Sequence, residues 1–207
     1  MIYFVLLGAA ILVLAVVLRH IVGALENAGF DRSDAFAILL LPPVLEMFVH
    51  PMHVATFNQM DVYADPAGFF LPLLISARLI SSGKVPLYRV LAGVALLSYV
   101  CNRHAVPGHF GVGITDMATP VIVASLYSLY MSPRQPAPLA YVSGTLGMIV
   151  GADIANLPEL SRMFAGGVVT LGGAGMFDAI YLVGISAVFL DLFISLAEEI
   201  RGVKRKL

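Results

Sequence analysis

The chain has no tryptophan, a single cysteine and few charges: only 12% of its 207 residues are Asp, Glu, Lys or Arg. A soluble domain carries about 25%. The one cysteine, Cys101, excludes an intrachain disulfide and a Cys-x-x-Cys metal site. It reads as a small apolar filler rather than a reactive thiol. A net charge of −1 leaves no basic field to attract nucleic acid. Without tryptophan, an interfacial aromatic belt falls to Tyr3, Tyr63, Tyr88 and Tyr130, which lie near the ends of apolar runs. No loop between those runs is long enough to bury a core of its own, so the whole of 1–207 reads as one transmembrane domain.

What is present is apolar. Hydrophobic residues make up 59% of the chain, and the mean hydropathy is +0.92. Both place it in the multi-pass membrane class. Ile2–Leu18 runs apolar to Arg19 and His20, and Met1–Tyr3 has no positive charge, so this run reads as a retained first span rather than a signal peptide. Further runs follow at Ala35–Val49, Pro66–Ala77, Val85–Asn102, Phe110–Met131, Leu139–Leu157 and Val168–Leu196. The expected fold is an all-α integral membrane protein with about seven transmembrane helices, some broken or re-entrant at glycine-rich stretches. The second run carries Pro42-Pro43, which predicts a kinked or re-entrant segment there. With the N-terminus outside and the C-terminus cytoplasmic, ten of the twelve Lys and Arg residues fall on the cytoplasmic side, and only Arg103 and Arg162 fall outside.

The stretch Leu171–Leu190 organises the functional reading. It opens with Gly172, Gly173 and Gly175 and places Asp178 three residues later, ahead of an apolar run. A carboxylate there is costly in lipid and should face protein or a water-filled cavity. Gly111-Val-Gly113-Ile-Thr-Asp116 repeats the Gly-x-Gly-x-x-Asp spacing of Gly173-Ala-Gly175-Met-Phe-Asp178. Asp153 follows Gly151 by two residues, and Asp65-Pro66-Ala67-Gly68 marks a third outer turn. Glycine breaks that converge at one depth are how membrane proteins expose backbone to a ligand. The expected ligand set is therefore Asp116, Asp153 and Asp178 with Gly111, Gly113, Gly173 and Gly175. The plainer reading makes Asp116 and Asp65 helix N-caps. Asp191, about 20 Å along the last helix from Asp178, reads as a helix-partner charge near the cytoplasmic end. Ser143, Gly147 and Gly151, at every fourth residue, predict a close helix–helix seam that brings Asp153 against the final helix.

Three other chemistries compete with solute or ion binding. Glu46, His50 and His53 stand at i, i+4 and i+7 beside Met47, Met52, Met60 and Asp61, a donor set suited to copper or zinc. Pro51 interrupts that helical face, and a histidine pair at a membrane surface is more often solvated than ligating. Asp153 and Asp178 on consecutive spans are similar to the aspartate pair of intramembrane aspartyl proteases such as presenilin. In those proteins the second aspartate directly follows Gly-x-Gly, whereas here Met176 and Phe177 intervene. An accessory or structural subunit of a larger membrane complex fits a small chain with short loops.

Gly151-Ala-Asp153-Ile-Ala-Asn156-Leu and Leu171-Gly-Gly-Ala-Gly-Met-Phe-Asp178-Ala-Ile resemble the closing signatures of a prokaryotic membrane family, domain of unknown function 1614. Gly144-Thr-Leu-Gly147 and Gly111-Val-Gly113-Ile fit it too, and the resemblance is best over residues 108–196. It implies a multi-pass membrane protein and no established activity; the chain itself is expected in the prokaryotic cytoplasmic (inner) membrane, in contact with the lipid bilayer and with other membrane subunits if it serves a larger complex. The chain departs from the family at Glu46-Met47 and His50-Pro51-Met52, where a Gly-Ser…Asn-Ile-Pro pattern is expected, and at Met176 and Ala179.

Overall fold

The computed structural model describes residues 2–108, 111–164 and 166–200. His109 and the basic tail from residue 201 lie outside the described residues. Seven helical segments follow in chain order: α1 (Ile2–Asn27), α2 (Arg32–Phe48), α3 (Pro66–Ser81), α4 (Leu87–His104), α5 (Ala118–Met131), α6 (Pro136–Met163) and α7 (Ala179–Ile200). Two of them, α6 and the Leu6–Asn27 part of α1, are long and apolar enough to cross a membrane. Of the others, α2 has 17 residues and α5 has 14. At 1.5 Å per residue these reach about 26 and 21 Å, against a hydrocarbon core of about 30 Å.

The segments run alternately between two ends. At one, the α1–α2 loop, the α3–α4 turn and the start of α6 meet. Lys84 there donates to the Gly29 carbonyl at 2.9 Å and pairs with Asp31 at 2.8 Å. Lys84 holds the Asp31 carboxyl below the usual carboxylate range. Arg78 reaches from α3 to Asp34 at 3.0 Å and to the Ser33 hydroxyl at 2.9 Å. We call this the paired end.

The opposite end is not all-α, which corrects the expectation. Five short strands lie there: β1 (Met52–Phe57), β2 (Met60–Ala64), β3 (Ala105–Gly108), β4 (Gly111–Ile114) and β5 (Val168–Leu171). β1 and β2 form an antiparallel hairpin around Asn58 and Gln59, both at positive φ, as a two-residue hairpin turn of this type requires. β5 pairs parallel to β2, from Asp61 opposite Val168 to Ala64 opposite Leu171. β3 and β4 form a second hairpin. The expected fifth span, Phe110–Met131, is thus a strand to Ile114 and a helix only from Ala118.

Two further expectations are corrected. α2 continues through Pro42 and Pro43. A proline at 42 cannot donate to the carbonyl of Ile38 four residues back. The Tyr181 hydroxyl of α7 donates to that carbonyl instead, so the buried oxygen lost to the helix is satisfied from outside it. Tyr181→Phe should therefore lower stability by about 1–3 kcal/mol, measured as a fall in the thermal unfolding midpoint in detergent. The Ser143–Gly147–Gly151 seam faces α4, not the final helix. An added Cβ on Gly147 would strike Leu97, and one on Gly151 would strike the Ser98 backbone. The final helix instead packs against Gly144 and Tyr141 of α6. Asp191 is buried and accepts from the Ser128 hydroxyl at 2.8 Å, which makes it a helix-partner group between α5 and α7.

Candidate functional site

Three irregular segments lie at the end that carries the strands, and the first and third of them are in direct contact. The first opens α3 as a π-helical turn over Pro66–Phe70, capped by Asp65, whose Oδ1 accepts from the Ala67 and Gly68 amides at 2.8 and 2.9 Å. The second is a π-helical turn inside α6, Ile149–Ile154, which carries Asp153. π-turns in helices cluster at functional sites. The third is the turn after β5, where Gly172 and Gly175 take φ of +67° and +60° and a short 3₁₀ turn spans Gly175–Phe177. Asp178 ends it, accepting from the Ile180 amide at 2.9 Å and the Ala174 amide at 3.3 Å. It therefore caps α7 and braces the turn at once.

Glu46, near the end of α2, accepts from the Met176 amide and occupies the space a Cβ on Gly175 would need. The carboxylate is thus fitted to the glycine turn, and its bond to Met176 spans 130 positions of sequence. Beside this contact lies an open cleft of about 260 Å³, lined by Glu46, His50 and Asp65 together with the Gly173–Gly175 turn. Asp178 stands behind that turn. The charge of Asp178 acts on Asp153 and that of Asp65 on Asp178, so the three carboxylates share one region.

The structure thus joins two groups that sequence spacing kept apart. Glu46 and His50, expected in a separate metal set, share the cleft with Gly173 and Gly175. His53 does not join them. α2 ends at Phe48, Val49 is extended, and the i, i+4, i+7 pattern is lost as the chain becomes β1. His53 contacts the Thr56 hydroxyl at 3.2 Å, lies 3.5 Å from Asp61 and meets the Tyr63 ring edge-on. Among the described residues no three His, Cys, Asp or Glu side chains stand close enough to hold a metal ion.

Asp116, Gly111 and Gly113 are also placed elsewhere. Gly111 and Gly113 belong to β4 and line a depression on their own hairpin. Asp116 caps α5, accepting from the Ala118 amide and the Thr119 hydroxyl. The Thr119 hydroxyl, with the two amides, holds its carboxyl below the usual range. The matching Gly-x-Gly-x-x-Asp spacings thus adopt a strand in one case and a 3₁₀ turn in the other. Asp65, read as a cap, is one, and it also lines the cleft.

The family model "Protein of unknown function (DUF1614)" matches residues 40–190, and the chain belongs to that family. The match begins well before residue 108 and takes in Glu46, His50 and Asp65 as well as the glycine turn. No curated protein and no solved structure matches the chain.

Proposed function

We propose that this family member lies in the prokaryotic cytoplasmic membrane, crosses it with its seven helical segments, and binds or passes a small polar solute or ion in the Glu46–Asp65–Gly173 cleft. The observation that carries this reading is the cleft itself: an open, polar hollow lined by the end of α2, the Asp65 cap of the α3 π-turn and the glycine turn after β5, at one end of an otherwise apolar bundle. Exposed apolar side chains along α1, α4 and α5, such as Leu12, Leu91 and Leu126, suit lipid contact. Arg32, Arg78 and Lys84 gather at the paired end, which supports that end as cytoplasmic and the cleft as outer-facing.

Cysteine accessibility tests both placement and site. The native Cys101 is fully buried, so a His50→Cys variant carries a single reachable thiol. A membrane-impermeant maleimide should label it in intact cells and not in inverted vesicles. Labelling only in inverted vesicles would reverse the orientation, and labelling in neither would close the cleft. Asp178→Asn should insert normally, since asparagine also caps helices, but should lose at least about tenfold in solute affinity.

A second reading has one observation in its favour: Asp153 and Asp178 lie in electrostatic reach of each other, as an aspartyl protease pair must. Against it, both oxygens of Asp178 are taken up in amide hydrogen bonds to the residues around its own turn. Peptide-bond cleavage abolished by either Asp→Asn change would establish it. The subunit reading predicts foreign chains at fixed ratio in a native pull-down. A chain that purifies alone or as a homo-oligomer excludes it.

A further inference from the structure

Three carboxylates at the paired end are each matched by a cation: Glu26 by Arg32 at 4.0 Å, Asp31 by Lys84 at 2.8 Å and Asp34 by Arg78 at 3.0 Å. Arg89, in the first turn of α4 at the same end, is not. Among the described residues it forms no ion pair. Its Nε donates to the Tyr88 hydroxyl at 2.9 Å, and its guanidinium lies 5.4 Å from the centre of the Tyr88 ring. These contacts hold the group in place but bring it no negative charge. The first turn of α4 carries no acidic residue either, and a cation there opposes the helix dipole, which favours an anion at that end.

The surroundings of Arg89 are apolar. α4 and α5 cross beside it: the Tyr127 hydroxyl of α5 donates to the Arg89 carbonyl at 2.6 Å, and a Cβ on Gly93, one turn along α4, would strike the Tyr127 ring. Tyr88 and Leu96 of α4 and Leu126 and Tyr130 of α5 are exposed on the same two helices. Arg89 itself is half-buried. A charge drawn partly out of water is costly unless it is paired. A soluble anion would supply the pair and leave the apolar flank uncovered. The charge and the flank together fit a ligand with an anionic head and apolar tails.

Resting on the reading of this chain as a membrane protein, we infer that the α4–α5 face at the paired end binds an anionic phospholipid, with the phosphate on Arg89 and the acyl chains along the exposed side chains of the two helices. A guanidinium presents a fork of N–H donors that matches phosphate oxygens. Tyr88 takes up Nε alone, which leaves both Nη groups as donors. A zwitterionic headgroup carries its own ammonium and brings no net charge, so the site discriminates against it.

The test uses the full chain purified in mild detergent. Phosphatidylglycerol and phosphatidylcholine with the same acyl chains are titrated separately, with sodium phosphate as the soluble anion. The unfolding midpoint is followed in each titration, and the oligomeric state is measured by size exclusion. Phosphatidylglycerol should raise the midpoint saturably, at concentrations about fivefold lower or more than phosphatidylcholine. Arg89→Gln should abolish that preference. Its lipid-free midpoint should stay close to that of wild type, because Tyr127 bonds to the Arg89 main chain. Ala92→Glu, three residues along the exposed face of α4, should also abolish it, because the new carboxylate gives Arg89 a counter-ion within the helix. Arg162→Gln, exposed at the cleft end, should leave the preference intact.

Equal protection by the two lipids overturns the inference and leaves the membrane reading standing. A preference that survives in both Arg89→Gln and Ala92→Glu does the same. Protection by sodium phosphate that matches phosphatidylglycerol and depends on Arg89 replaces the lipid with a soluble anion. A dimer that Arg89→Gln dissociates makes the face an interface between copies and overturns the lipid. Recovery of the chain from cells without detergent overturns the membrane reading and the inference with it.

Discussion

Gly68→Ala should collapse the cleft end of the molecule. The α3 π-turn and the glycine turn after β5 touch backbone to backbone. An alanine Cβ at position 68 would strike the Gly172 carbonyl and stand 2.8 Å from the Gly175 oxygen. The reciprocal change is as severe: a Cβ on Gly172 would lie 2.6 Å from both the Gly68 carbonyl carbon and the Phe69 nitrogen, at a φ that disfavours any side chain. Overpacking usually costs about 1–3 kcal/mol when side chains can move aside. Here only main chain is available to yield, so the expected loss is about 3 kcal/mol or more. Both variants should unfold at markedly lower temperature in detergent, and the His50→Cys thiol should lose its distinct labelling rate in either background. A Gly23→Ala control, where an added Cβ meets nothing within 4 Å, should be near neutral. An unchanged midpoint for Gly68→Ala would remove the close approach, and with it the geometry of the cleft.

Arg78→Ala should be the most damaging change at the paired end. Asp34 is 2% exposed and sits in the first turn of α2. Its carboxylate depends on Arg78, which lies at 3.0 Å and is itself about half exposed. Removing the arginine strands a buried charge, at a cost of about 3–5 kcal/mol. The pair's own net contribution is much smaller, and a double-mutant cycle separates the two. Asp34→Asn combined with Arg78→Ala should recover most of the loss, because the stranded charge is gone. If the double variant is as unstable as Arg78→Ala alone, the cost lies in lost packing of the arginine stem instead. The neighbouring Asp31–Lys84 pair responds to pH. Asp31 titrates below its unfolded value, so its contribution is complete above about pH 4 and disappears as the pH falls through that lowered value. Acid unfolding of Lys84→Met should accordingly be less steep than that of the wild type.

The helical segments were legible because apolar run length is a local property. Each expected span overlaps a helical segment, but only two of the segments are long and apolar enough to cross a membrane, and the expected last span, Val168–Leu196, opens as strand β5 and is an α-helix only from Ala179. What failed depended on long-range partners. The two prolines of α2 orphan the carbonyls of Ile38 and Leu39, and Tyr181, 143 residues from Ile38, satisfies the first of them. Strand β1 left no signal of its own, because it is exposed along its whole length. An edge strand of this kind leaves no alternation for periodicity to detect. The two-residue turn at Asn58 and Gln59 was the available signal, since asparagine tolerates positive φ.

Composition and spacing alone established an apolar, mainly helical chain with carboxylates set beside glycines near its turns, because hydrophobic run length and glycine's backbone freedom act within a few residues. They could not say which carboxylate meets which glycine. The tertiary structure decided that Glu46 holds the Gly175 turn, that Asp65 lines the same cleft, and that Asp116 and His53 stand apart. Those pairings arise where α2, the start of α3 and the turn after β5 pack together, and the backbone geometry that admits them, the α3 π-turn and two glycines at positive φ, rests on contacts of Gly68 with Gly172 and of Glu46 with Gly175, each between segments more than a hundred residues apart.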